Sequence, residues 1–296
     1  MPLVATLISD PERPAVTTAL ADRARGALSA SAAVRWLAPG IACDIAVPDA
    51  VGAERAADLL AELVGDEPID VAVQEAGNRR RRILIADMDS TMIEQECIDE
   101  LADEVGLKAK VAEITARSMN GEIAFEPALR ERVALLKGLA SAVVEKVLAE
   151  RIRLARGGRT LVATMNAAGA HTALVSGGFQ SFTRPVAALL GFAEQRANTL
   201  IEEDGRLAGL VAEPILGRAA KAEALTEIAA RLGLKPADAI AVGDGANDLD
   251  MIRLAGTGVA IHAKPVVAAA APFRIDHGDL TALLYLQGFS RDEFAG

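Results

Sequence analysis

The sequence predicts an α/β protein in which a doubly wound parallel sheet carries an inserted helical cap and follows a small α/β sandwich. Three observations lead to this prediction. Short apolar strand patterns alternate with helical ones after residue 83, a long helical region over about residues 94–155 interrupts them, and a β-α-β-β-α-β pattern precedes them. Hydrophobic residues make up 51% of the chain, which is enough for a sizeable core.

The N-terminal pattern, over residues 1–76, predicts the small sandwich. Three stretches resemble strands: residues 3–9, 33–47 and 69–73. Two stretches have the apolar spacing of helices: residues 12–28 and 53–64. Pro39-Gly40 divides the second strand region in two, which gives the element order of a ferredoxin-like sandwich. The pattern resembles that of ACT-type domains, and this resemblance implies an amino-acid ligand and a regulatory or accessory role.

Residues 77–82 form a predicted linker, because the chain turns polar and basic over Gln74–Arg82 before the next apolar run. The segment Arg79–Arg82 consists of four consecutive arginines. Such a run is able to contact nucleic acid, but in front of a buried strand it is more often a solvated edge, and we interpret it so.

The sequence predicts a larger second domain over residues 83–296. Ile83–Ala86 reads as a short buried strand, and the helical region after it is too long for a simple crossover, so it indicates a cap over the sheet. The alternation then resumes with three predicted strands, at residues 173–175, 239–242 and 258–261. Residues 198–211, with Asp204-Gly205 at their centre, predict a β-hairpin. Parallel strands joined by crossover helices give a doubly wound, Rossmann-like sheet.

Bulk properties argue against several classes of function. The formal net charge of −10 disfavours a broad nucleic-acid surface. No apolar stretch is long enough to cross a bilayer, and the first residues lack the features of a signal peptide, so we expect a cytoplasmic protein. Cys43 and Cys97 have no metal-ligand spacing, and we expect both thiols to be reduced.

Asp87 and Asp89 are the most informative residues of the chain. They follow the strand Ile83–Ala86 directly, at the edge of an open parallel sheet where ligands bind. Two carboxylates so close together repel each other unless a cation lies between them, and carboxylate oxygens suit a hard ion such as Mg²⁺. A carboxylate is also able to attack phosphorus and form an aspartyl-phosphate. The pair therefore predicts metal-assisted phosphoryl chemistry.

The segment Ser176-Gly177-Gly178 lies at the predicted end of another strand. A hydroxyl followed by two glycines allows a phosphate to approach backbone N–H groups at the start of a helix. A nucleophilic serine is excluded by the spacing, since Leu174 stands where the nucleophile elbow requires glycine. The histidines, His171, His262 and His277, do not support a triad.

Lys221 and the loop Gly243–Asp248 complete the set. Lys221 begins a helical run and would neutralise Asp87 together with an incoming phosphate. The loop follows an apolar strand, its two glycines allow a tight turn, and Asp244 and Asp248 are able to face the same cation as Asp87. It lacks the ligand spacing of an EF-hand and the third glycine of a dinucleotide fingerprint.

Together, these elements resemble the haloacid dehalogenase (HAD) superfamily over residues 83–290. The resemblance rests on Asp-x-Asp-x-Thr, strand-Ser-Gly-Gly, a helix with lysine, and strand-Gly-Asp-Gly-x-Asn-Asp, in that order. In the cap, residues 91–100 and Phe125-Glu126-x-x-Leu-Arg-x-Arg132 resemble the phosphoserine phosphatases. That family releases L-serine from O-phospho-L-serine, the last step of serine biosynthesis. The resemblance therefore implies a magnesium-dependent phosphoric monoester hydrolase.

The resemblance also implies a role for each motif residue. Asp87 would be the nucleophile, and Asp89 the general acid that later acts as a base. The phosphate would be held by residues of the later motifs: Ser176, Gly177, Gly178, Lys221 and Asn247. The ion would be bound by the carboxylates of Asp87 and Asp244 and by the backbone carbonyl of Asp89. Asp248 would support these ligands without contacting the ion directly.

Four cap residues would select phosphoserine. Arg132 offers a planar fork that pairs bidentately with a carboxylate, and Glu96 offers the ammonium group a counter-charge. Phe125 lies two helical turns before Arg132, so both are able to face the pocket, and Met119 would complete an apolar wall.

Two alternatives remain beside hydrolysis. The same aspartyl-phosphate would allow transfer of the phosphoryl group from phosphoserine to homoserine, and an amino-acid sensor would use residues 1–76 as its functional part. P-type ATPases share the chemistry but require transmembrane helices. The expected partner is a small-molecule substrate rather than nucleic acid or membrane, and the sequence permits a homodimer.

Overall fold

The computed structural model describes residues 1–296, and its N-terminal unit has the predicted β-α-β-β-α-β order. Its elements follow one another as β1 (Leu3–Ser9), α1 (Thr18–Ala27), β2 (Arg35–Ala38), β3 (Ala42–Val47), α2 (Ala53–Val64) and β4 (Ile69–Glu75). The strands form an antiparallel sheet in the order β2-β3-β1-β4. The ferredoxin-like arrangement is therefore present, whereas the relation to ACT-type domains stays a prediction.

Helix α1 begins later than the sequence predicts. Residues 12–16 are not helical, because Val16 donates its N–H to the carbonyl of Gly40 at 3.0 Å and is held as a bridge to the sheet. Thr17 then caps the helix by accepting the N–H of Leu20 on its hydroxyl at 3.2 Å. Capping by Thr17 and the bridge at Val16 thus override the apolar spacing that extends back to residue 12.

The larger unit begins with β5 and its inserted cap. The elements up to the hairpin are β5 (Ile83–Ala86), α3 (Cys97–Asp103), α4 (Lys108–Met119), α5 (Phe125–Ala134), α6 (Val143–Glu150), α7 (Gly158–Ala167), β6 (His171–Phe179), α8 (Gln180–Leu190), β7 (Glu194–Asn198), β8 (Leu200–Glu203) and β9 (Arg206–Val211). The remaining elements are α9 (Arg218–Arg231), β10 (Ala239–Gly243), α10 (Leu249–Leu254), β11 (Thr257–Ile261), α11 (Pro265–Ala268), β12 (Phe273–Ile275) and α12 (Ala282–Leu286).

Six of these strands form the predicted parallel sheet. Their order is β12-β11-β10-β5-β6-β7, and every neighbouring pair is parallel. The central strand β5 consists of four fully buried residues, as expected where helices cover both faces. None of the helices combines the length and the apolar character needed to cross a bilayer.

The cap consists of helices α3 to α6, and the hairpin β8-β9 is attached to it. Gly138 donates its N–H to the carbonyl of Leu207 at 2.8 Å, and Arg206 donates to the carbonyl of Gly138 at 2.7 Å. The two chain segments that lead into and out of the cap run side by side, with an antiparallel bridge between Ile93 and Leu154. The long helical region is therefore one insertion joined to the sheet through a paired double connection.

The two units meet along a seam (the contacts between residues 1–76 and the rest of the chain) that is rich in buried charge. Arg79 is buried and donates to both carboxylate oxygens of Asp44, with 3.1 Å from Nη1 to Oδ1. Asp70 accepts the backbone N–H groups of Asp276, His277 and Gly278 at 2.8 to 3.2 Å. Each buried carboxylate of the seam thus has matched partners.

The arginine run is only partly the solvated edge that the sequence suggested, since Arg80 and Arg82 are exposed whereas Arg79 is buried and Arg81 half-buried. Arg79 is buried against Asp44, and Arg81 donates to the Thr257 hydroxyl at 2.8 Å and to the carbonyl of Ala237 at 2.9 Å. Arg80 lies over the ring of Phe289, 4.0 Å from its centroid. The solvated-edge interpretation was wrong for Arg79, because the guanidinium compensates a buried carboxylate on the neighbouring unit.

A second set of seam contacts reaches the base of the cap. Arg156 follows the outgoing cap segment and donates to both carboxylate oxygens of Asp10, at 2.9 and 3.1 Å. It also forms an ion pair with Glu12 at 2.6 Å. The N-terminal unit therefore contacts the chain where it leaves the cap.

Candidate active site

The predicted catalytic motifs meet at the carboxyl edge of the parallel sheet. Strands β10, β5 and β6 are neighbours there, so the residues that follow them lie close together although they are far apart in sequence. Asp87 follows β5, Asp244 follows β10, and Ser176 lies near the end of β6. Lys221 reaches the same place from the first turn of α9.

Three carboxylates and one ammonium group form the centre of the site. The Nζ of Lys221 lies 2.7 Å from Oδ1 of Asp87 and 2.6 Å from Oδ1 of Asp248. One oxygen each of Asp87, Asp244 and Asp248 lie within 4.8 Å of one another, and all four side chains are almost completely buried. Thr91 donates its hydroxyl to Asp244 at 3.2 Å.

Burial and the neighbouring charges shift the pKa values of the groups in this cluster. Burial, followed by the charge of Asp248, raises the pKa of Asp87 well above its ordinary value and that of Asp244 to about 7. Burial alone would lower the pKa of Lys221, but the carboxylates of Asp248 and Asp87 more than offset it, so this pKa is raised. One ammonium group thus faces three carboxylates.

This donor set fits a hard divalent cation. Its ligand atoms are carboxylate oxygens, which Mg²⁺ and related ions prefer, and no cysteine or histidine belongs to the cluster. A divalent cation would balance the two negative charges that Lys221 leaves uncompensated. The cluster contains the predicted ligands Asp87 and Asp244 together with Asp248, which the sequence placed behind the ligands; the carboxylate of Asp89 lies outside it.

Asp89 faces the cap side of the site instead. Its Oδ1 accepts the N–H of Cys97 at 2.8 Å and its Oδ2 the hydroxyl of Ser176 at 3.3 Å. Burial raises the pKa of Asp89, although these hydrogen bonds oppose the shift. A carboxyl group with a raised pKa that is anchored at a helix start is suited to hold and release a proton.

The Ser-Gly-Gly segment is placed differently from its prediction. Strand β6 does not end at Val175 but continues to Phe179, and its pairing with β7 shifts register across the glycines. A side chain at either glycine would have to displace a residue of the site. A Cβ on Gly178 would lie 2.7 Å from Oδ2 of Asp89, and one on Gly177 would lie 2.5 Å from the ring of Phe125. The glycines therefore allow both Asp89 and the cap to approach the strand closely.

The predicted cap residues line a pocket above Asp89. Glu96, Met119, Phe125 and Arg132 surround it together with Gly177 and Gly178. Ser90 donates its hydroxyl to Glu96 at 2.7 Å, and burial, followed by the nearby charge of Asp89, raises the pKa of Glu96 well above its ordinary value. The cavity measures about 20 Å³, which has room for roughly one water. The cap therefore lies close over Asp89.

Arg132 is the unusual residue of this pocket. It is only 2% exposed, yet its hydrogen bonds go to neutral groups, the carbonyl of Ala128 at 3.2 Å and the hydroxyl of Thr115 at 3.0 Å. The charges of Glu96 and Asp99 act on it from a distance and partly offset the effect of burial, which lowers its pKa. A buried guanidinium without a direct anionic partner is costly unless a ligand supplies one.

Asn247 is also brought into the site, and several contributors were not singled out from the sequence. The carboxamide oxygen of Asn247 is buried and has no hydrogen-bond partner, and it lies beside Gly245 near the sulfur of Met119.

The residues that were not singled out are Thr91, Cys97 and Thr115. Thr91 is the last residue of the Asp-x-Asp-x-Thr motif, so the motif could have indicated that it belongs to the site. Cys97 acts through its backbone, and Thr115 orients Arg132 from another helix, so neither could be recognised by residue type.

The chain matches a known family over most of this unit. Residues 84–253 match the model of the haloacid dehalogenase-like hydrolases. A phosphoserine phosphatase from Albidiferax ferrireducens is 47% identical over 210 residues, 69% of this chain and 89% of the relative. One from Streptomyces coelicolor is 46% identical over 227 residues, 76% of this chain and 55% of the relative. The chain spans 55 to 63% of the length of that protein and of two further relatives, from Mycobacterium tuberculosis and Archaeoglobus fulgidus.

Solved structures show the same similarity in three dimensions. A haloacid dehalogenase family hydrolase from Salmonella enterica serovar Typhi matches 99% of both chains with a TM-score of 0.85 and 29% identity. A substrate-bound phosphoserine phosphatase matches 69% of this chain and 97% of its own, with a TM-score of 0.67 and 38% identity. The similarity to the Salmonella protein thus includes the N-terminal unit as well as the sheet and cap.

Proposed function

The chain belongs to the haloacid dehalogenase-like hydrolases, and on that premise we propose that it hydrolyses O-phospho-L-serine to L-serine and phosphate. The observation that carries the choice of substrate is the buried, directly unpaired guanidinium of Arg132, which shares one pocket with Asp89 and Glu96. A phosphoserine molecule offers a carboxylate to Arg132, an ammonium group to Glu96 and a phosphate to the sheet edge. Relatives that are phosphoserine phosphatases support the same substrate.

Asp87 begins the reaction as the nucleophile. Lys221, 2.7 Å away, holds its carboxylate and provides positive charge for the phosphate oxygens. A bond forms between an oxygen of Asp87 and phosphorus while the bond from phosphorus to the serine oxygen breaks. Asp89 donates its proton to the departing serine oxygen, for which its raised pKa is suited.

The second half returns the enzyme to its starting state. Asp89, now a carboxylate, takes a proton from water, and the water oxygen attacks phosphorus. The bond between phosphorus and Asp87 breaks, which restores the Asp87 carboxylate and releases phosphate. The hydroxyl of Ser176 and the backbone at Gly177 and Gly178 lie beside Asp89 and would hold phosphate oxygens through both halves.

The acidic cluster would hold Mg²⁺ as the cofactor. Its ligands would be Asp87, Asp244 and the backbone carbonyl of Asp89, supported by Asp248, which Lys221 and the N–H of Gly245 keep in place at 2.6 and 3.1 Å. When bound, the ion would supply positive charge that offsets both the carboxylates and the phosphate. Asn247 would add a polar contact beside Met119, and Phe125 would cover the substrate.

The test is phosphate release from O-phospho-L-serine with and without Mg²⁺, beside phosphothreonine, sugar phosphates and p-nitrophenyl phosphate. We expect magnesium-dependent turnover with a clear preference for phosphoserine. Asp87→Asn should abolish turnover and leave the fold intact, because Asn has nearly the same volume and removes one of three repelling charges.

Three outcomes would contradict parts of the proposal. Retained turnover in Asp87→Asn would overturn the covalent mechanism. Turnover of the other phosphates but not of phosphoserine would overturn the roles of Glu96 and Arg132. Formation of phosphohomoserine when homoserine is supplied would replace hydrolysis by phosphoryl transfer.

A further inference from the structure

Three helices of the cap meet around the guanidinium of Arg132. Arg132 lies on α5, Thr115 on α4 and Asp99 on α3. The Nη1 of Arg132 donates to the hydroxyl of Thr115 at 3.0 Å. That hydroxyl has two acceptors within reach, and Oδ1 of Asp99 at 2.7 Å is nearer than the carbonyl of Val111 at 3.0 Å. Thr115 is 4% exposed, so water does not substitute for these contacts. The three side chains form a chain of hydrogen bonds from a cation to a carboxylate through a neutral hydroxyl.

We propose that Thr115, held by Asp99, is a positioning residue that orients Arg132 for the carboxylate of the substrate and thereby sets the specificity for an amino-acid phosphate. This inference rests on the proposed function. It assigns to Thr115 and Asp99 a role in substrate selection, although neither lines the pocket above Asp89.

The hydrogen bonds of Arg132 fix its plane and leave its recognition edge free. Its Nε donates to the carbonyl of Ala128, one helical turn earlier, and one hydrogen of Nη1 goes to Thr115. The second hydrogen of Nη1 and both hydrogens of Nη2 remain for a ligand. The end of the planar fork presents one hydrogen of Nη1 and one of Nη2, and this pair matches the two oxygens of a carboxylate when Thr115 accepts the other hydrogen of Nη1.

A neutral hydroxyl at this position has an advantage over a carboxylate. If Asp99 contacted the guanidinium directly, it would neutralise the charge and compete with the substrate carboxylate for the same hydrogens. Thr115 separates the two, so Asp99 orients the hydroxyl and stabilises the cation from a distance while Arg132 keeps its hydrogens. This explains why a buried arginine is left without a direct ion pair.

The experiment compares two substrates that differ only in the carboxylate, O-phospho-L-serine and phosphoethanolamine. Thr115→Val keeps the shape of the side chain and removes the hydroxyl, and Thr115→Ser keeps the hydroxyl. We expect Thr115→Val to raise KM for phosphoserine about tenfold, with kcat changed less than about threefold, because orientation of a charged hydrogen-bonding group is lost. For phosphoethanolamine, kcat/KM should stay within about twofold of wild type, and Thr115→Ser should behave as wild type with both substrates.

Each outcome has one meaning. If the wild type prefers phosphoserine and Thr115→Val keeps the same preference, the positioning role is wrong. If Thr115→Val impairs both substrates equally, the hydroxyl supports the fold of the cap and not specificity. If Thr115→Val does not fold, the same comparison with Thr115→Ala decides the question. If the wild type does not hydrolyse phosphoserine at all, the proposed function itself has failed, which the Thr115 variants do not affect.

Discussion

The sheet edge and the seam between the two units both bury charge, but they balance it differently. At the seam, Asp44 faces Arg79, and Asp70 accepts three backbone N–H groups. At the sheet edge, three carboxylates share the single ammonium group of Lys221. Buried charge is costly unless it is paired, so balanced charge serves the fold and unbalanced charge indicates a site that binds an ion or a ligand.

The cap also contains unbalanced buried charge, but there the charge is positive. Arg132 is a buried cation without a direct anionic partner, and it lines the same pocket as Asp89, which follows Asp87 of the anionic cluster by two residues. An excess of negative charge on the sheet and a free positive charge in the cap complement a cation and a substrate carboxylate, respectively. The distribution of unpaired charge thus outlines what the pocket binds.

Removal of Lys221 should have the largest effect. Lys221→Met leaves Asp87 and Asp248 without their cation, so we expect turnover to be lost and the free energy of unfolding to fall by about 3–5 kcal/mol. Urea unfolding with and without Mg²⁺ measures the second effect, and Mg²⁺ should stabilise the variant more than the wild type. The exposed Lys235→Met is the control. Unchanged stability in Lys221→Met would mean that the cluster is not short of positive charge.

Removal of Arg79 should destabilise the protein to a similar extent but spare catalysis. Arg79→Met leaves Asp44 buried without its guanidinium, and we expect a loss of about 3–5 kcal/mol in urea unfolding. Turnover of the folded variant should stay within about twofold of wild type, because charge at the seam does not touch the substrate. The neighbouring, exposed Arg80→Met should cost about 1 kcal/mol or less. A large loss of turnover in folded Arg79→Met would show that the seam and the active site are coupled.

The smallest effect is expected at Asp10, and it should depend on pH. The hydrogen bond from Arg156 lowers the pKa of Asp10 below its ordinary value of 3.8. The folded protein therefore binds fewer protons there than the unfolded chain, so the contribution to stability is present above pH 3.8 and is lost as the pH falls through the lowered pKa. Because Arg156 is partly exposed, we expect Asp10→Asn to cost about 1 kcal/mol or less at pH 7.

Unfolding measured from pH 7 down to about pH 2.5 tests the sign at Asp10. The difference between wild type and Asp10→Asn should shrink on acidification. A difference that is constant over this range would mean that the charge of Asp10 does not contribute and that only its packing does.

The sequence predicted those parts of the site that follow from strand ends. Asp87, Ser176 and Asp244 each follow or end an apolar run, and adjacency of parallel strands brings such residues together. Lys221 was predicted from its place at the start of a helix. Arg132 and Glu96 came only from resemblance to a family, because a charged residue on an amphipathic helix looks the same whether it faces solvent or a pocket.

What the sequence did not predict depends on contacts between distant elements. Arg79 appeared to be surface charge, because its partner Asp44 belongs to another unit. Strands β7 and β12 escaped notice, since β7 reads Glu194–Asn198 with mostly polar residues and β12 has three residues. The late start of α1 was set by the bridge of Val16 to Gly40, which no local pattern shows.

The paired connection at Ile93 and Leu154 has a consequence for how such enzymes diversify. Because the chain enters and leaves the cap at adjacent residues, the cap is an insertion whose two ends lie side by side. A different insertion between these two points would leave the strand order and the carboxylate cluster unchanged. Under the proposed function, the residues that would select the substrate thus lie in a stretch of the chain separate from the strands that carry the carboxylate cluster, and the N–H of Cys97, which holds Asp89, links the two.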